Sequence, residues 1–202
     1  MSAFRLAKWS TALAFAASAV VAAQDPPSLQ KLMETGQYDA VVERAAEGRS
    51  QSPEDIYSAA MAYLKMGNNG GAAAELRRLQ NQGDDSWKRV GASGVAMLEN
   101  NDGEAVSAGR QATEMAGDNP YTHYQLGMAA ARANDFGTAA QAFQRATELK
   151  PDFAYAHYYA GQSFHKERNL EKALEHYKYF VELAPDSPDK VAVQGIMRTL
   201  RK

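Results

Sequence analysis

From Asp25 onward, apolar residues recur three and four positions apart, the spacing of helices that bury one face, and no sustained alternating run calls for a strand. Between Pro120 and Phe153 the pattern divides into two helices. The first carries His123, Leu126, Gly127 and Ala130, the second Phe136, Ala139, Phe143 and Ala146, and Pro151 closes the unit. Ala154 to Ser187 repeats it with His157, Ala160, Gly161 and Phe164, then Leu170, Ala173, Tyr177 and Phe180, then Pro185. Shifted by 34 residues, the segments ATEMAGDNPYTHY (112–124) and ATELKPDFAYAHY (146–158) share seven of thirteen positions. A period of this length predicts a stack of helical hairpins, none of which can bury its apolar face alone.

Turn chemistry supports the same division. Ser52-Pro53, Asn119-Pro120 and Ser187-Pro188 each set a capping side chain before a proline suited to the first helical position. Gly36, Gly67, Gly83 and the pair Asn101-Asp102 separate successive helices, and Asn68 to Gly71 reads as a flexible turn. Gly127 and Gly161 fall mid-helix, where glycine costs about 1 kcal/mol relative to Ala; close approach of the second helix is the predicted compensation.

These units resemble the tetratricopeptide repeat, W-x2-L-G-x2-Y, then A-x3-F, then P. Leu126-Gly127, Ala139, Phe143 and Pro151 match in one unit, and Gly161, Phe164, Ala173, Tyr177 and Pro185 in the next. His123 stands at the tryptophan place and Ala130 at the tyrosine place; His157 and Ala160 also depart. Pro53 to Asp85 fits through Ile56, Ala59, Ala60, Tyr63, Gly67, Ala72 and Leu76, while 86–119 fits only in small residues such as Ala92, Ser93, Ala96, Ala105 and Ala112. The expected fold is all-α, a right-handed superhelical array of such hairpins. Its units are a degenerate hairpin at 24–52, a repeat at 53–85, a degenerate repeat at 86–119 and repeats at 120–153 and 154–187. A capping helix at 188–202 follows, with Val191, Ile196 and Leu200 turned inward.

A second stripe, offset around each first helix, needs another use. It holds Tyr121, Tyr124, Met128 and Arg132 in one unit, and Tyr155, Tyr158, Gln162, His165 and Lys166 in the next. Tyr57, Met61 and Lys65 extend it upstream, with Trp87 nearby. First helices line the concave groove in the tetratricopeptide family, so the resemblance implies that these residues face it. Tyr and Met then offer broad, adaptable contact to a peptide or helix, and Arg132 and Lys166 suit a carboxylate. The family's Lys/Asn clamp for a C-terminal carboxylate is unsupported, because Tyr124, Met128, Tyr158 and Gln162 stand there. Packing of the tyrosines between neighbouring repeats is the competing account.

Composition narrows function further. A net charge of −2 argues against nucleic acid as the main partner, and the absence of cysteine removes disulfides, thiolate metal sites and a Cys nucleophile. His123, His157, His165 and His176 form no helical i, i+4 pair, and no HExxH, P-loop or GxSxG occurs, so neither metal nor cofactor nor enzyme activity is expected. Residues 1–23 combine Arg5 and Lys8 with the run WSTALAFAASAVVAA and small residues before Gln24, which predicts a cleaved secretion signal. At fifteen residues the run is short of the ~20 that span a bilayer, so membrane contact is expected only through an uncleaved signal. The sequence therefore predicts a periplasmic, non-catalytic adaptor that binds a protein or peptide. The alternatives are a self-assembling subunit, joined through the small residues of 86–119, and an accessory partner of a separate enzyme; oligomeric state stays open.

Overall fold

A computed structural model describes residues 26–46 and 52–200. The predicted secretion signal lies outside these residues. The described residues form eleven helices and no strand. They are α1 (Leu29–Glu34), α2 (Tyr38–Ala46), α3 (Pro53–Lys65), α4 (Asn69–Gln82), α5 (Asp85–Leu98), α6 (Asp102–Met115), α7 (Pro120–Arg132), α8 (Phe136–Leu149), α9 (Ala154–Lys166), α10 (Leu170–Leu183) and α11 (Lys190–Leu200). Each packs on its chain neighbours, and first helices also meet one another, α1 on α3, α5 on α7 and α7 on α9. This is a tetratricopeptide-like superhelical array, as the period predicted. None of the described helices is long and apolar enough to cross a membrane.

One turn design joins every hairpin. Gly36, Gly67, Asn100, Asn134 and Arg168 adopt positive φ, between 61° and 75°. The residue after each donates its N–H to a carbonyl five positions back, as Asn68 does to Tyr63 and Asn169 to Phe164, closing the preceding helix. In four hairpins that same residue, Asn68, Asn101, Asp135 or Asn169, then caps the next helix with its side chain. One Asx residue thus ends one helix and begins another, which keeps the hairpins tight.

The long helices start as predicted at Ser52 and Asn119, whose side chains accept from Asp55 and Tyr121. A Cβ on Gly127 would stand 2.8 Å from the Phe143 ring, and one on Gly161 2.7 Å from the Tyr177 ring, so the predicted close approach is real. Three local expectations need correction. Asn68 to Gly71 is a cap and the first turn of α4, with the Tyr63 ring packed where a Gly71 side chain would go. Ser187-Pro188 precedes α11, which begins at Lys190. That start places Val193, fully buried, with Ile196, Met197 and Leu200 against the core and leaves Val191 73% exposed.

Candidate binding groove

The inner face is built from α3, α7 and α9, and its aromatic side chains touch in an unbroken series. Trp87 and Tyr57 lie 6.0 Å apart between centroids, and Tyr57 meets Tyr121 and Tyr124 edge-on. Tyr124 stacks on Phe153 at 4.7 Å and meets Tyr159. Tyr159 continues to Tyr155 and Tyr158, which both reach Phe180. Edge-to-face and offset contacts of this kind add about 0.5–1.5 kcal/mol per pair beyond area burial.

Behind this series runs a buried polar line. The Tyr57 hydroxyl donates to Gln125 Oε1 at 2.8 Å, Gln125 Nε2 to Ser93 Oγ at 3.0 Å, and Ser93 to the Ala105 carbonyl at 2.8 Å. It ties α3, α7, α5 and α6 together, and among the described residues no buried side-chain polar atom lacks a partner. Burial raises the Tyr57 and Tyr124 hydroxyls well above their ordinary pKa and pushes Tyr121 up to about 12, so all three stay neutral.

The groove is already filled. The short helix α1 lies over the inner face, and Gln30, Met33 and Glu34 close one wall of a cavity whose other wall is Tyr57, Met61, Tyr121, Tyr124, Phe153 and Tyr155. The space left is about 50 Å³, room for a water or two and not for a peptide. Met33 also lines a neighbouring hollow of about 100 Å³, beside Lys65, Met128 and Tyr159. With Met61, Tyr124 and Tyr155, which line both, it stands between the two spaces.

Polar ties hold this arrangement at the rim. Gln30 Nε2 donates to the Asp152 carbonyl at 2.7 Å, in the turn between α8 and α9. Lys65 Nζ lies 3.2 Å from Asp189 Oδ2 and 4.4 Å over the Tyr155 ring. The Tyr155 hydroxyl donates to the same Asp189 oxygen at 3.1 Å, which leaves its own oxygen to accept from Tyr38, 3.3 Å away. The first hairpin, α3, α9 and the turn before α11 thus converge on one carboxylate.

The predicted second stripe divides into three places. Tyr57, Tyr124 and Tyr155 are buried in the aromatic series, while Tyr121, Tyr158, Met61, Met128 and Lys65 are half-buried around it. Gln162, His165 and Lys166 line a hollow of about 330 Å³ with Tyr159, Phe136 and Ile196. Arg132 braces the α5–α6 turn by pairing with Asp102 at 2.7 Å. Tyr57, Tyr124 and Tyr155 pack between neighbouring repeats, the account offered from sequence as the competitor to groove lining, and they also border the cavity under α1. Sequence reasoning missed Met33, Gln30 and Asp189, which bear no periodic mark, and missed Phe153 and Gln125. Phe153 closes the 120–153 unit, and aromatic content there was the available signal.

Three of the four histidines are held by internal contacts. His123 Nε2 meets the Gly117 carbonyl at 3.0 Å, and His157 Nε2 the Pro151 carbonyl at 3.1 Å, equivalent places 34 residues apart. His157 Nδ1 also faces His176 Nδ1 at 3.1 Å. With Nε2–H of His157 donating to Pro151, its Nδ1 accepts from His176. Burial lowers both pKa values, that of His176 to about 4, so the pair is neutral at pH 7. Among the described residues no group of three or more His, Asp or Glu is arranged to hold a metal ion.

Comparison with known proteins agrees with this architecture. Residues 124–188 match the tetratricopeptide repeat family. None of the curated proteins matches the sequence. Among solved structures, the chain is similar to TTC0263, a thermophilic tetratricopeptide protein of Thermus thermophilus, at 21% identity and TM-score 0.60 over 86% of this chain and 95% of that one. It is similar to YrrB, described as having an unusual peptide-binding site, at 20% identity and TM-score 0.52 over 83% and 88%. The first tetratricopeptide domain of Spaghetti (RPAP3), bound to the HSP90 peptide SRMEEVD, aligns at 17% identity and TM-score 0.51 over 57% and 92%. At these identities the likeness is one of fold.

Proposed function

We propose that this chain is a non-catalytic adaptor of the bacterial envelope that holds a peptide or helical segment of another protein against the aromatic inner face of α3, α7 and α9. The observation that carries this reading is the continuous aromatic series from Trp87 to Phe180, edged by Tyr hydroxyls and by Lys65. Rigid aromatic surface with polar tips gives large contact area at small entropic cost. Two structural relatives are described with peptides or a peptide-binding site, and both share this fold. Export rests on the secretion-signal pattern of residues 1–23.

The test is site-specific photocrosslinking in cells. A photoreactive residue replaces Met128, at the groove, or Met115, exposed on α6. A partner captured from position 128 and not from 115 supports the reading. Capture from 115 alone moves binding to the outer face and sinks it. For the address, residues 1–30 fused to alkaline phosphatase are expected to yield periplasmic activity, and inactive fusion overturns the envelope assignment.

A further inference from the structure

The inner face carries an occupant, and that occupant reports what the face recognises. Three side chains of α1 line the groove cavity: Gln30, Met33 and Glu34, at positions i, i+3 and i+4 of one helical face. The other face, Leu29 and Leu32, belongs to a small cluster with Val41 and Ala62, which Met33 also touches at its edge. Thus α1 is packed on two sides, and only the Gln30–Met33–Glu34 side reads the groove. The apolar part of that recognition is Met33, set between Met61, Tyr124 and Tyr155. The polar part is the Gln30 amide donating to the Asp152 carbonyl.

A helix of six residues has no stability of its own. Its order comes from docking, so α1 keeps its helix only while it is packed on the array. Leu32 and Val41 hold the hairpin to Ala62 of α3, but its ties to the groove itself are few: Gln30 to Asp152, Tyr38 to Tyr155, and one methionine. A tethered occupant acts at an effective concentration in the millimolar range, so a weak contact suffices to fill the site, and a better ligand in solution can replace it.

We propose that α1 is an intramolecular stand-in for the partner, and that the partner is an amphipathic helix presenting a methionine or leucine with an amide donor one turn before it, which binds by displacing α1. This rests on the groove reading above. The apparent affinity for that partner is reduced by the fraction of molecules in which the groove is open. The short connection through the Gly36 turn, packed on Pro188, keeps α2 in place while α1 moves.

The probe is a labelled peptide with this chain's own sequence 26–46, titrated into the mature wild-type protein and into Met33→Glu. The charge at position 33 undocks α1 while the peptide keeps its methionine. The variant is expected to bind the peptide about tenfold tighter than wild type or better. Equal affinity, or no binding to either, overturns the proposal. Should Met33→Glu lose helicity, Gln30→Ala removes the Asp152 contact, together with the amide's contact to Glu34, and is expected to give the same ranking with a smaller ratio. A concentration-dependent dimer of Met33→Glu would assign the face to a second copy of this chain and overturn the partner assignment.

The two readings fail separately. Peptide binding to Met33→Glu with no foreign protein captured from position 128 keeps the stand-in and removes the adaptor. A foreign protein captured equally by wild type and Met33→Glu keeps the adaptor and removes the stand-in.

Discussion

Lys65 and Asp189 lie 124 residues apart in the chain and 3.2 Å apart in space, pairing the end of α3 with the turn before α11. Their side chains are 23% and 31% exposed, so the ion pair alone is worth at most about 1 kcal/mol. The carboxylate matters more as a shared acceptor, since Tyr155 also donates to it. Asp189→Asn keeps an acceptor oxygen and is expected to cost about 0.5–1 kcal/mol. Asp189→Ala leaves Lys65 and Tyr155 unpaired and is expected to cost about 1–2 kcal/mol. Urea unfolding checks the order of the two variants, and added salt should shrink only the difference that depends on charge.

The Tyr57–Gln125–Ser93 line predicts strong non-additivity. Tyr57 is 1%, Gln125 1% and Ser93 0% exposed, so a deleted partner has no water to take its place. Gln125→Leu leaves the Tyr57 hydroxyl and Ser93 without their mutual partner and is expected to destabilise by about 2–4 kcal/mol. Tyr57→Phe alone orphans Gln125 Oε1, at about 1–3 kcal/mol. The double variant should cost less than the sum of the two, and a double-mutant cycle in urea measures the shortfall. Additive costs would show that the line transmits nothing between α3 and α7.

Arg168 holds φ at 61° in a turn where the equivalent positions are Gly67, Asn100 and Asn134. The left-handed conformation costs a side-chain-bearing residue about 1–2 kcal/mol, and glycine returns part of that through its larger unfolded-state entropy. Arg168→Gly is therefore expected to raise stability by about 0.5–1 kcal/mol, read as an increase of a few degrees in Tm. A fall in Tm would mean that the arginine side chain contributes a contact outweighing its backbone strain.

How far these features could be read from the chain depends on whether they repeat. The 34-residue offset placed α7 with α9 and α8 with α10 because the same residues recur in each. Gly127 and Gly161 were legible as close approaches because mid-helix glycine has few other uses. The tyrosines were legible as a stripe, but their burial between repeats was not, since a helical wheel has no knowledge of what lies across the array. Met33 and Gln30 were invisible for a related reason. Their partners, Tyr124 and Asp152, belong to distant repeats, and closure of the first hairpin onto them is a property of the superhelix, not of either segment. Val193 rather than Val191 faces the core because α11 starts two residues after Pro188. A two-residue shift turns a helix face by roughly 200°.

Glu34 gives the docking of α1 a pH dependence. The residue is 7% exposed, on the groove side of α1, and its carboxylate accepts from Gln30 Nε2 at 3.0 Å. Burial raises its pKa above 4.5, and Asp152 adds to that effect, opposed by Gln30, Lys31 and Lys150. A carboxyl whose pKa is higher when docked favours docking in its protonated form. Its contribution is complete below pH 4.5 and is lost as pH rises through the raised value. At neutral pH the charged side chain therefore works against docking. Glu34→Gln keeps an oxygen for Gln30 and removes the charge, so it is expected to hold α1 down more firmly at pH 7. Hydrogen exchange reads this directly: amides of α1 should be protected several-fold more in Glu34→Gln than in wild type, with those of α7 unchanged. Since a firmer stand-in blocks the groove, the same variant should capture less partner from position 128. If α1 exchanges faster in the variant, the carboxylate is a tie and not a penalty, and the direction of the switch is reversed.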